Sequence, residues 1–213
     1  MKKSRWFSFR IFIAVTVSIA ALYLFWQITE EIVLEQEDHL DHFIFDRLRP
    51  IVSPEITKLM SSLTLFGSFF FLVPASILLV VIVALKTRNK KLTWLLSLMV
   101  VCSPAILFLL KFIFRRNRPL NPVTGSVDGF SFPSGHSFLS FSFFGLLAYL
   151  VWHTRLTKPV RLALCILCIL IACVTAFSRA YLRVHFASDV VAGFCLSLAW
   201  LCFWWWLGKR IVK

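Results

Sequence analysis

Six apolar runs, at about 11–28, 63–85, 92–114, 137–152, 162–177 and 190–207, constrain this chain more than anything else in it. Inside a bilayer the backbone must satisfy its own hydrogen bonds, and a helix needs about 20 apolar residues to cross the hydrocarbon core. Runs of this length therefore predict six transmembrane helices and an all-α fold. The fourth and fifth are short on a strict apolar count and are expected to extend into their flanks. Of the 213 residues, 59% are hydrophobic and only 15% charged, which excludes an ordinary soluble domain. With no internal repeat or linker, the length predicts a single domain over 1–213.

The net charge of +13 would suit nucleic acid only if it formed a basic face on a soluble fold. Here the basic residues fall in short clusters between apolar runs, where they act as topology signals, so no nucleic-acid partner is expected. Four lie at the amino terminus (Lys2, Lys3, Arg5, Arg10), four at 86–91 (Lys86, Arg88, Lys90, Lys91), three at 154–161 and three at the carboxyl terminus. None of these segments holds an acid, whereas eight of the ten acids lie between Glu30 and Glu55. The positive-inside rule then puts both termini in the cytoplasm. The first run resembles a secretory leader at its start, but it continues from Leu22 to Trp26 past the Ser18-Ile19-Ala20 cleavage candidate, so it is read as an uncleaved span. Trp204, Trp205 and Trp206 are read as aromatic anchors at the cytoplasmic interface.

The segment 29–62 is too polar to span. Ile56, Leu59, Met60 and Leu63 recur at helical spacing and predict a short amphipathic helix, lying at the interface in the first outer loop. The six cysteines (102, 165, 168, 173, 195 and 202) all lie in apolar runs and are read as small buried hydrophobes rather than thiolates. His39, His42 and His153 have no partner pattern and receive no role.

Positive charge is disfavoured in translocated loops, yet Arg115, Arg116, Arg118, Arg179 and Arg183 lie there, with Lys111 at the end of the third span. Ionisable groups at membrane depth mark function. Cations converging on one interface imply an anionic ligand, and the Arg fork suits phosphate. Lys111 and Arg118 are seven apart and share a face if helix persists to Pro119. Pro133-Ser134-Gly135-His136 directly precedes the fourth run, placing free N–H groups, a glycine and a histidine at a helix amino terminus, where anions bind. His185 and Asp189 stand four apart at the start of the sixth span, so a carboxylate can hold one imidazole nitrogen and leave the other as nucleophile. Arg115 and Arg116 are read as binding lipid headgroups.

Together, Lys111-x6-Arg118-Pro119, Pro133-Ser134-Gly135-His136 and Ser178-Arg179-x5-His185-x3-Asp189 resemble the three-part motif of the type 2 phosphatidic acid phosphatase superfamily. All eleven positions are present in order and spacing, within 111–189. The resemblance implies a lipid phosphatase that needs no metal or other cofactor, with a membrane lipid phosphate as substrate. It assigns His185 as nucleophile, Asp189 as its orienting carboxylate and His136 as general acid and base. Lys111, Arg118, Ser134, Gly135, Ser178 and Arg179 would hold the phosphoryl oxygens. The motif segments fall on the outer side, so a terminal phosphate of an outer-leaflet lipid is expected, undecaprenyl diphosphate or phosphatidylglycerophosphate foremost. Short loops without an Asn-x-Ser/Thr sequon point to a bacterial cytoplasmic membrane. A phosphotransferase would keep every motif residue. A transporter or scaffold would place charge in the middle of several spans, and these charges gather at one interface. Vanadium haloperoxidases share the motif, but six spans argue against that activity. Oligomeric state is left open.

Overall fold

The computed structural model of the protein describes residues 2–34, 39–125 and 127–212. Among these every regular element is helical: α1 (Lys2–Thr29), α2 (His39–Leu48), α3 (Pro54–Leu63), α4 (Phe69–Thr87), α5 (Lys90–Phe114), α6 (Gly135–Trp152), α7 (Lys158–Tyr181) and α8 (Ala187–Ile211), with short π or 3₁₀ turns at Glu30–Leu34, Arg49–Ile51 and Thr64–Gly67. Six helical stretches, Ile11–Ile32, Pro54–Thr87, Lys90–Phe114, Gly135–Trp152, Lys158–Tyr181 and Ala187–Ile211, are long and apolar enough to cross a membrane. The expected six-span, all-α architecture is therefore present. Large apolar side chains such as Phe70 (91% exposed), Leu85 and Trp94 (both 73%) point outward from these helices, as a lipid-facing surface requires and a water-facing one would not tolerate.

Local chemistry sets the helix ends. Within the second stretch α4 starts at Phe69, because the Thr64–Gly67 turn intervenes and Ser68 caps α4 by accepting the Phe71 N–H at 3.2 Å. Arg88 closes α4 in the left-handed region, and Asn89 then caps α5 through the Leu92 N–H at 3.1 Å. The fourth and fifth spans do reach into their flanks, beginning at Gly135 and Lys158. The segment Pro54–Leu63 forms the helix α3, and its Met60 packs with Val52 on Tyr181, Leu182 and Val184. The acids Glu35, Glu37 and Asp38 and the side chains of Lys2, Lys3, Arg5 and Arg10, used above for topology, lie outside the described residues.

In the bundle α6 packs against α7 and α8, and α1 lies along α8. Small residues let α6 and α8 touch. A β-carbon added to Gly193 would stand 2.7 Å from the Ser134 carbonyl and 3.0 Å from the Ser137 β-carbon. Ser137 Oγ donates across this seam to the Val190 carbonyl at 2.7 Å, and the Ser134 N–H donates to the Asp189 carbonyl at 3.0 Å. Deeper in, Trp200 Nε1 donates to Ser103 Oγ at 2.8 Å, tying α8 to α5. Two expectations change. Trp204 is buried against Leu95 and Met99, because its side of α8 faces the bundle rather than the interface. Of the six cysteines only Cys168 and Cys195 are buried; Cys102, Cys165 and Cys202 are half-buried and Cys173 is exposed on α7.

Candidate active site

The carboxyl ends of α5 and α7 and the amino ends of α6 and α8 meet at one end of the bundle, and the three motif segments meet with them. Asp189 is fully buried at the third position of α8, where its Oδ2 accepts the Phe186 N–H at 3.0 Å, the carboxylate half of a capping box. The same oxygen lies 3.3 Å from His185 Nδ1. His185 itself precedes the helix, and its backbone N–H donates to the Arg179 carbonyl at 3.2 Å. The dyad thus forms between a cap loop and a first turn, not along one helical face.

Arg118 Nη1 lies 3.3 Å from His185 Nε2 and donates to the Val184 carbonyl at 2.6 Å, while its Nε donates to the Gly129 carbonyl at 2.9 Å. A carboxylate on Nδ1 and a guanidinium donor on Nε2 fix one tautomer, with the proton on Nδ1 and the lone pair on Nε2. Burial pushes His185 down to about 4, against the opposing pull of Asp189, so the ring is neutral at physiological pH. Arg118 is also held below its usual range, chiefly by burial.

The other expected phosphate ligands sit around this pair. Lys111 Nζ reaches the carbonyls of Phe130 and Ser131 at 2.6 and 3.2 Å. The helix does not persist to Pro119: Arg115 ends α5 in the left-handed region, and Arg118 reaches the site from the loop. Arg179 is buried at the end of α7; its Nη1 donates to Thr64 Oγ1 at 3.0 Å, and its Nε has no hydrogen-bond partner among the described residues. Ser134 caps α6, so the amino end of that helix, with Gly135 and His136 in its first turn, opens onto the cluster. His136 lies within electrostatic reach of Arg179, His185, Arg118 and Lys111. Ser178 differs from the rest: its hydroxyl donates to the Thr175 carbonyl inside its own helix, at 2.6 Å and fully buried.

Arg116 overturns its assignment to lipid headgroups. Its guanidinium donates to Asp189 Oδ1 at 2.6 Å, to Ser188 Oγ at 2.9 Å and to Asp41 Oδ2 at 2.8 Å, with only 11% of the side chain exposed. Two partners cannot be seen from the motifs. Asp41 arrives from α2, and Gly67 packs so closely that an added β-carbon would stand 3.1 Å from His136 Cδ2 and 2.3 Å from Thr175 Cγ2. The one local clue was the cost of an arginine in a translocated loop, which calls for a nearby acid.

Chemically, four cations (Lys111, Arg116, Arg118, Arg179) outnumber two carboxylates (Asp41, Asp189) around a neutral histidine whose free nitrogen faces an arginine. An anion with several oxygens suits such a place.

Comparison with known proteins places the chain in a family. The family model described as the PAP2 superfamily matches residues 91–213. Phosphatidylglycerophosphatase B of Bacillus subtilis (strain 168) is 34% identical over 152 residues, covering 70% of this chain and 73% of that protein. An uncharacterized 22.5 kDa protein in the cps region of Klebsiella pneumoniae is 29% identical over 137 residues, covering 64% of this chain and 63% of its own. The crystal structure of the first transmembrane PAP2 type phosphatidylglycerolphosphate phosphatase from Bacillus subtilis superposes with a TM-score of 0.77 at 28% identity, over 91% of this chain and 96% of that one.

Proposed function

The chain belongs to the PAP2 superfamily and is a membrane lipid phosphatase related to phosphatidylglycerophosphatase B; from that premise we propose that it removes the terminal phosphate of an outer-leaflet lipid through a phosphohistidine. The whole chain acts as one membrane-embedded catalytic domain, both termini cytoplasmic, in a bacterial inner membrane. Phosphatidylglycerophosphate is the first substrate to try, because the named relative and the solved structure are enzymes of that lipid. Undecaprenyl diphosphate presents the same terminal phosphate at the same depth.

One observation carries the mechanism: His185 is buried, held by Asp189 on one nitrogen and facing Arg118 with the other. In the first step the Nε2 lone pair forms a bond to phosphorus while the bond from phosphorus to the lipid oxygen breaks. His136 gives that oxygen its proton, and Asp189 stabilises the cationic phosphoimidazole. In the second step His136 takes a proton from water, the water oxygen attacks phosphorus, and the bond to His185 breaks to release phosphate. Lys111, Arg118, Arg179, the Ser134 hydroxyl and the Gly135 N–H neutralise and orient the phosphoryl oxygens. Positioning and charge neutralisation are most of what phosphoryl transfer needs. Ser178, assigned above to the phosphate, serves this set by fixing the end of α7 that carries Arg179. A phosphotransferase reading keeps the same first step and replaces water by a lipid or sugar hydroxyl.

The test is phosphate release by purified protein in detergent, from phosphatidylglycerophosphate, undecaprenyl diphosphate and phosphatidate, with chelator present and with vanadate as inhibitor. Turnover of one lipid in chelator, suppressed by vanadate as a mimic of five-coordinate phosphorus, is the expected result. Activity that vanished with chelator, or survived excess vanadate, would require different chemistry. Phosphate appearing only when a lipid acceptor is added would support transfer.

The pH profile gives a second check. Only neutral His185 attacks, so its protonation removes activity: kcat/KM is expected to hold above about pH 5 and to fall tenfold per unit below about 4. The requirement for protonated His136 adds an alkaline limb, giving a bell. A profile flat from pH 3 to 10 would sink the two-histidine mechanism.

A further inference from the structure

We propose that Arg116 and Asp41 are positioning residues of this site: Arg116 clamps Asp189 in the orientation that serves His185, and Asp41, brought in by α2, holds Arg116 in place. The inference rests on the reading of His185 and Asp189 as the nucleophilic pair.

The geometry forms a chain. The two oxygens of Asp189 are divided, Oδ2 to His185 Nδ1 and the Phe186 N–H, Oδ1 to Arg116 Nη1 at 2.6 Å. Two fixed partners set the plane of the carboxylate and with it the direction in which Oδ2 meets the imidazole. Arg116 continues through Nη2 to Asp41 Oδ2 at 2.8 Å. Asp41 is 1% exposed and spends its other oxygen on the Ser188 N–H at 2.9 Å. Ser188 Oγ closes the ring, accepting from Arg116 Nη1 at 2.9 Å and donating to Asp41 Oδ2 at 2.5 Å. The ring of Phe186 covers the guanidinium, its centroid 3.9 Å from the Arg116 Cζ.

Two features separate this from a simple pin between α2 and α8. Asp41 and Ser188 alone would suffice to dock α2, yet Arg116 passes on to Asp189. Both terminal nitrogens of Arg116 are spent on Asp41, Ser188 and Asp189, so it acts on the histidine through the carboxylate rather than by binding phosphate itself. Outer partners that orient a reacting group commonly matter by about 10–100-fold.

Charge adds a signature. The groups facing His185 are Asp189 on α8, Lys111 on α5, Arg118 in the following loop and His136 on α6, while Arg179 on α7 offers its carbonyl. Replacing Arg116 by Gln removes a cation from the far side of Asp189, which favours protonated His185. Replacing Asp41 by Asn removes an anion and does the reverse.

The experiment uses the full-length protein in detergent with the best lipid substrate, and measures kcat, KM and the acid limb of kcat/KM. Arg116→Gln is expected to lower kcat by about 10–100-fold with KM within about threefold, moving the acid limb to higher pH. Asp41→Asn should cost less and move the limb to lower pH. Arg116→Lys, which keeps the charge but loses the fork, should fall between wild type and Arg116→Gln. In an Asp189→Asn background, Arg116→Gln should cost almost nothing more, because the clamp has lost what it holds. Equal losses in both backgrounds, a rise in KM alone, or unmoved acid limbs would overturn the proposal. Should Arg116→Gln not fold, Asp41→Asn carries the same test with its opposite sign. Activity that survived both His185→Ala and Asp189→Asn would instead remove the mechanism on which the clamp depends. Loss in those two with a wild-type Arg116→Gln would remove the clamp alone.

Discussion

Replacing His185 by alanine is expected to lower phosphate release by about 10⁴-fold or more, roughly 5.5 kcal/mol of barrier at 1.36 kcal/mol per decade. The size follows from what remains. Lys111, Arg118, Arg179 and the amino end of α6 would still bind phosphate, so KM should change little. What goes is the atom proposed to make the bond to phosphorus, and a water entering the void would lack the orientation that Arg118 and Asp189 give the ring. His185 is 2% exposed, so the truncation leaves a small void. His185→Gln, nearer in volume, is the companion variant, and gel filtration in detergent reports folding for both. Radiolabelled lipid phosphate should label the wild-type chain transiently and neither variant at all. Label on the alanine variant would move the nucleophile elsewhere.

The second large effect is expected at His136, and its form matters more than its size. With lipid substrate, His136→Ala should lose about 10²–10⁴-fold, the usual worth of a placed general acid and base. With an aryl phosphate the leaving phenolate departs without a proton, so the first step should be nearly intact. Water activation still fails. The outcome is a burst of one phenolate per enzyme followed by slow turnover, with phosphate trapped on His185 as an acid-labile, alkali-stable adduct. No burst, with equal losses on both substrates, would mean that His136 holds phosphate rather than moving protons. Gly67 lies against this ring, so added bulk there should disturb the same step.

Some of this was legible in the chain. Hydropathy is a local signal, and six spans followed from it because hydrocarbon leaves the backbone no other choice. The motif residues were also readable, each on a short segment beside a span end, where helix termini and polar side chains coincide. What stayed hidden was the third dimension of the loops. Asp41 lies in an acid-rich stretch that reads as a solvated surface, yet it is buried against a residue 75 positions away. Arg116 has the sequence context of a lipid-facing cation, and only the fold turns it inward. Thr64 and Gly67 sit in a bland apolar stretch, and neither type carries any mark of an active site. The helix expected to run to Pro119 stops at Phe114, because Arg115 adopts the left-handed turn that sends Arg118 back over the site.

The family match begins at residue 91, but the working parts do not. Asp41, Thr64 and Gly67 touch the proposed catalytic cluster, and Phe25 makes tilted ring contacts with Phe114 and Phe132 beside it. On the proposed mechanism the amino-terminal third is a fitted part of the reaction chamber and not an interchangeable anchor. A chimera that joins residues 91–213 to the first two spans of a relative will inherit every motif residue. It will work only if the donor brings an acid for Arg116, a hydroxyl for Arg179 and a side-chain-free turn for His136.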